Sequence, residues 1–135
     1  MKVVFDTNVL IAAFVAEGLC ASLLRRARRG DFLLCLSPFI ISEFENVLSK
    51  KIKADKPEII EAIDILKETI HEIVDTDEEV KGVCRDKDDD NILSCAKASK
   101  ADYLVTGDED LLILKNIGRI RIITPRDFEI MLLSM

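Results

Sequence analysis

Carboxylates stand in four separated motifs: FDTN at residues 5–8, SEFENVL at 42–48, DKDDDNILSCA at 86–96 and TGDEDLL at 106–112. Carboxylates gathered within about 5 Å repel by roughly 3 kcal/mol per pair at an effective dielectric near 20. A fold keeps such a cluster only when cations offset it. Oxygen-only donors select hard ions, Mg²⁺ or Mn²⁺, over zinc. Such ions, with water left on them, activate that water and stabilise charge on a phosphoryl group.

Each motif also has a structural reading. Asp6 ends an apolar run and is either a turn residue or a site residue. Thr7 and Asn8 can bond the turn backbone and orient its carboxylate. In the second motif, Ile40, Ile41, Phe44, Val47 and Leu48 form one stripe at roughly 100° per residue. Glu43 and Glu45 flank that stripe on opposite sides, so periodicity leaves both open. Asp88 or Asp90 can cap a helix start. Asp89 instead projects onto the stripe of Ile92, Leu93 and Ala96, where a carboxylate is costly unless paired or metal-bound. Thr106, Gly107 and Asp108 follow a strand pattern and open a helix. Capping explains Asp108 or Asp110, not both.

Other chemistries are poorly served. The chain has one histidine, His71, set in the helical pattern EIIEAIDILKETIHEIV, so a solvated position is expected for it. Catalysis through a histidine base would have no other candidate. Cys20, Cys35, Cys84 and Cys95 form no CxxC pair; buried, reduced thiols of a cytoplasmic protein are expected. Trp is absent and Tyr103 is the only tyrosine, which argues against base-stacking platforms. The net charge of −6 argues against a protein that coats DNA or a membrane surface, and two divalent ions would bring it to −2. The longest apolar run, residues 9–16, is far short of the roughly twenty needed to cross a bilayer. Asp6 and Asn8 interrupt the apolar start, so a buried strand is expected there rather than a signal peptide.

These residues need a scaffold. With 135 residues, 49% of them hydrophobic and 33% charged, the chain suits one domain over 1–135. Strands are expected at 2–5, 32–36, 103–105 and 120–123. Helices are expected at 9–16, 19–29, 39–51, 57–74, 88–99, 109–114 and 125–133. Asn8 would cap the first of these, and Ser37-Pro38 opens the third. Residues 75–87 read as a polar connection. Apolar strands alternating with helices predict an α/β fold, a mostly parallel sheet covered on both faces. Ligands of such sheets lie beyond the carboxyl ends of the strands.

VVFDTNVLIAAF, SEFENVL, DDNILSCA and ADYLVTGDEDLL, in this order, resemble the PIN-domain family, of the VapC-type toxin ribonucleases. The resemblance covers nearly the whole chain. It implies a three-layer α/β/α sandwich and a Mg²⁺- or Mn²⁺-dependent endonuclease acting on single-stranded RNA. It also implies a homodimer and an antitoxin partner. Carried over residue by residue, its four acids fall on Asp6, Glu43, Asp89 and Asp108, with Asn8 and Thr106 in support. The DDD run keeps Asp90 as the alternate third acid. A Mg-dependent phosphatase of the haloacid-dehalogenase type would need a second acid where Asn8 stands. A non-enzymatic RNA-binding or protein-interaction module would not need all four acids. Arg25, Arg26, Arg28, Arg29, Lys50, Lys51 and Lys53 are candidate phosphate contacts or solvated helix ends.

Overall fold

A computed structural model describes residues 1–76 and 87–135. In chain order the elements are β1 (Lys2–Phe5), α1 (Thr7–Val15), α2 (Leu19–Arg28), β2 (Leu33–Leu36), α3 (Pro38–Lys50), α4 (Lys56–Thr69) and β3 (Ile70–Ile73). Then follow α5 (Lys87–Ser99), β4 (Tyr103–Val105), α6 (Glu109–Leu112), β5 (Asn116–Ile117), β6 (Ile120–Ile123) and α7 (Pro125–Leu133).

Val3, Val4 and Phe5 are all fully buried, although successive strand side chains point to opposite faces. β1 therefore has cover on both faces, which is why its sequence runs apolar without alternation. The described strands form one sheet in the order β3-β2-β1-β4-β6-β5. All neighbours pair parallel except β5 and β6. With helices on both sides this is the expected three-layer α/β/α sandwich. The chain builds outward from β1 to β2 to β3, then returns to lay β4 on the other side of β1. Strand order thus reverses between β1 and β4, and a crevice opens outside the carboxyl ends at such a point.

The helices start where their caps dictate. Ser37 Oγ accepts the Ile40 N–H at 3.3 Å, and Pro38 takes the first turn of α3. Asp55 and Glu58 form a reciprocal capping box for α4. Beside β1, Phe128 of α7 packs on Phe32 and Phe5, with ring centroids 5.0 and 6.3 Å away.

The structure departs from the sequence reading in several places. Thr7, not Val9, is the first residue of α1, so Asp6 holds the N-cap position and Asn8 lies exposed inside the helix. The helix expected at 57–74 stops at Thr69, and Ile70–Ile73 become β3. His71 is thus an exposed strand residue rather than a helical one. α6 ends at Leu112, and β5 is a strand that the sequence reading lacks. Gly118, at φ +58, makes the turn that lets β5 fold back on β6. Residues 77–86 of the expected polar connection, Cys84 among them, lie outside the described residues. Cys35 and Cys95 are buried free thiols as expected, while Cys20 is only partly buried. No single described helix is long and apolar enough to cross a membrane.

Candidate metal centre

The crevice between β1 and β4 collects the acids. Asp6 follows β1 directly, and its backbone N–H donates to the Val105 carbonyl at 3.0 Å, tying the two strand ends together. One residue beyond Val105, the fully buried Thr106 hydroxyl donates to Asp6 Oδ2 at 2.7 Å. The Thr106 hydroxyl oxygen in turn accepts the Asp108 N–H at 3.0 Å. A single hydroxyl therefore fixes the geometry of two acids, one from each central strand. Asp108 Oδ1 accepts the Asp110 N–H at 2.8 Å and caps α6.

α3 brings Glu43 to the same place. Ile40, Phe44 and Leu48 point into the core, which turns Glu43 toward the crevice and leaves Glu45 exposed. α5 brings Asp89, which is 6% exposed and lies on the helix face of Ile92, Leu93 and Ala96. Asp6, Glu43, Asp89 and Asp108 line one cavity of about 340 Å³, with Thr7, Asn8 and Asp88. Asp90 is buried too but does not line that cavity. One oxygen each of Asp89, Asp108 and Asp110 lie within 4.8 Å of one another.

The electrostatics follow from this crowding. Burial raises the Asp6 pKa above its ordinary value, and Asp108 adds to the rise. The Thr106 hydroxyl and the backbone of Thr7 and Asn8 pull the other way. Glu43 is also raised, first by burial, then by the nearby charges of Asp88 and Asp6, against the Thr7 hydroxyl. Carboxyls held high by burial and by one another are poised for a compensating cation. Among the described residues every charged ligand of the cluster is a carboxylate, and neither His71 nor Cys20, Cys35 or Cys95 lines the cavity. Such a set fits a hard divalent cation and not zinc.

Asp88 and Asp110 were legible only as caps, because each stands in the first turn of its helix, where capping already accounts for a carboxylate. Asn46, Lys50 and Lys51 also line the cavity. Asn46 could have been found from its place one turn from both Glu43 and Lys50. The arginines of α2, and Arg29 at its C-cap, are engaged elsewhere. Arg26 and Arg29 bond Asp31, Arg28 pairs with Glu68 and Arg25 with Glu17, and none lines the cavity.

The raised carboxyls give the metal-free protein a definite pH response. Between the ordinary and the raised pKa values, the folded state binds more protons than the unfolded chain. Stability therefore rises as pH falls through the raised Asp6 and Glu43 values, until the ordinary 3.8 and 4.5 are reached. Asp31 acts in the opposite sense. Arg29 and Arg26 hold it down at about 2, so its stabilisation is full above 3.8 and is lost as pH falls toward 2. In EDTA, the melting temperature of wild type is expected to gain more than that of Asp6→Asn as pH is lowered from neutrality. Parallel melting curves for the two proteins would show that the Asp6 carboxyl is not raised.

Residues 2–110 match the sequence profile of the PIN domain family. The chain belongs to that family. It is 28% identical over 141 aligned positions to an uncharacterized protein of Methanocaldococcus jannaschii, covering 95% of this chain and 89% of that one. Its fold is similar to a chain of VapBC2 from Rickettsia felis, seen in a crystal structure bound to a DNA fragment from the promoter. There the TM-score is 0.67 and the identity 19%, over 92% of this chain and 98% of that one. PIN-domain proteins are typically nucleases, a class consistent with an acidic crevice at the sheet's switch point.

Proposed function

We propose that residues 1–135 form one catalytic domain, a metal-dependent endoribonuclease that hydrolyses phosphodiesters of single-stranded RNA. The reading rests on one observation above all: Asp6, Glu43, Asp89 and Asp108, far apart in sequence, line a single cavity at the strand-order reversal. In this reading the four carboxylates hold one or two Mg²⁺ or Mn²⁺ ions. Bound there, the ions supply a water acidic enough to attack at neutral pH and offset charge on the phosphoryl oxygens. Thr106 holds the Asp6 carboxylate in one orientation through its 2.7 Å hydrogen bond. Asn8, at the exposed mouth beside Asp6, supplies a polar contact for substrate or solvent. Glu43, its pKa raised first by burial and then by the charges of Asp88 and Asp6, would serve as one of the metal ligands. We further read the protein as a cytoplasmic, homodimeric toxin held by an antitoxin. The likeness to a chain of the Rickettsia felis VapBC2 supports that partner.

Attack by water rather than by the ribose 2′-hydroxyl leaves a 5′-phosphate and a 3′-hydroxyl. His71, exposed on β3 and outside the cavity, offers no acid–base partner for 2′-hydroxyl attack. End-group analysis of cleaved RNA, with a parallel reaction on a strand methylated at its 2′-hydroxyls, tests this. Cleavage of both strands and its loss in EDTA are expected. Products ending in a 2′,3′-cyclic phosphate, or activity indifferent to EDTA, would overturn the metal-hydrolysis route.

A further inference from the structure

α3 does more than carry Glu43. Glu43, Asn46, Val47, Lys50 and Lys51 all line the acidic cavity, so successive turns of one helix face form its wall. At 1.5 Å of rise per residue, Lys50 and Lys51 stand about 10 Å along the helix from Glu43. That is too far to serve the phosphate at the acids and suits the phosphates of the neighbouring nucleotides. Lysines at a helix C-terminus are favoured by the macrodipole in any case. The macrodipole does not, however, choose the side of the helix that faces a cavity of carboxylates. Both side chains are exposed, and among the described residues neither ammonium is ion-paired, unlike the three arginines of α2 and Arg29 at its C-cap. An anionic strand approaching a cavity lined by five acids needs positive charge at the rim, and on this wall of the cavity Lys50 and Lys51 provide it.

We propose that Lys50 and Lys51 bind the backbone phosphates flanking the scissile one, so that the single strand runs along α3, over Asn46, into the acidic cavity. The assignment rests on the nuclease reading of that cavity, and the two can fail separately. The probe is a fluorescent single-stranded oligouridylate of about twelve nucleotides, within the usual range of single-strand sites. Its binding is followed by anisotropy in CaCl₂, whose cation takes oxygen ligands of the same kind. Lys50→Gln/Lys51→Gln is expected to weaken binding roughly tenfold and to flatten the log–log salt slope by about 1.4, the loss of two single-strand phosphate contacts. Lys50→Arg/Lys51→Arg should restore both, which separates charge from folding. Lys97→Gln/Lys115→Gln, which removes the same charge from exposed positions outside the cavity, should change neither. Wild-type affinity and slope in the Lys50/Lys51 glutamine variant, equal loss in the control pair, or no binding at all would overturn the assignment. Cleavage of the same oligonucleotide in MgCl₂ is scored separately. Lysine-dependent binding without cleavage would sink the nuclease reading and leave the strand path standing. Cleavage by wild type and variant with equal KM would do the reverse.

Discussion

Cleavage of single-stranded RNA is expected to fall by about 10³-fold or more in Asp6→Asn/Asp89→Asn, since the proposed function makes both acids ligands of the metal. The same variant separates metal binding from mere packing. Ions that bind only the folded cluster stabilise it by about 2.7 kcal/mol at a concentration a hundred times their Kd. Wild type is expected to show a corresponding rise in melting temperature with Mn²⁺ or Mg²⁺, and the double variant none. In EDTA the order reverses. Asp6 is raised by burial and by Asp108, so removing its charge relieves desolvation and repulsion, and the variant should melt higher than wild type. A double variant that gains as much from Mn²⁺ as wild type would remove the four-acid site from consideration.

Phe128→Ala is expected to lower folding stability by about 3–5 kcal/mol, the usual cost of emptying a buried aromatic site. Phe128 is fully buried, and its ring meets Phe32 edge-on at 5.0 Å, Phe5 edge-on at 6.3 Å and Tyr103 at 6.0 Å. Three of these four rings belong to β1, to β4 and to the residue just before β2, so α7 is anchored across the centre of the sheet. A loss of that size is a large fraction of the roughly 5–15 kcal/mol that a domain possesses. Urea unfolding followed by circular dichroism measures it. A loss below about 1 kcal/mol would mean that neighbouring side chains close the cavity. Because Phe5 precedes Asp6, the variant is also expected to bind Mn²⁺ more weakly.

The legibility of the chain tracks the strength of its local signals. Fully buried strands announce themselves: VVF, LLCL and YLV are apolar because both faces are covered. β3 escaped because Ile59, Ile63, Leu66, Ile70, Ile73 and Val74 keep helical spacing straight across the boundary at Thr69. On a half-exposed edge strand, IHEI carries no apolar–polar alternation that could break that pattern. The cluster of β-branched residues from Thr69 to Val74 was the available clue. β5 is two residues long and exists through its turn, beyond the reach of periodicity. Among the acids, Asp89 was readable from its helix face, and the structure puts it rather than Asp90 on the cavity wall. Glu43 and Glu45 were symmetric about their stripe, and only the position of α5 and β1 distinguishes them. Asp110 was hidden because α6, at four residues, has no face to project. The two elements that meet at Thr106 are separated by a hundred residues, which no local pattern encodes.

The hydrogen bond from Thr106 to Asp6 also sets a schedule for synthesis. The first acid leaves the ribosome early, but the hydroxyl that orients it, and the acids Asp89 and Asp108, belong to segments made much later. Asp6 is further tied to Val105 through its backbone, and Thr106 in turn to Ile123 on β6. A nascent chain short of β6 therefore lacks the contacts that seat its own site. On the proposed nuclease reading, such a chain gains its site only once β6 has been made.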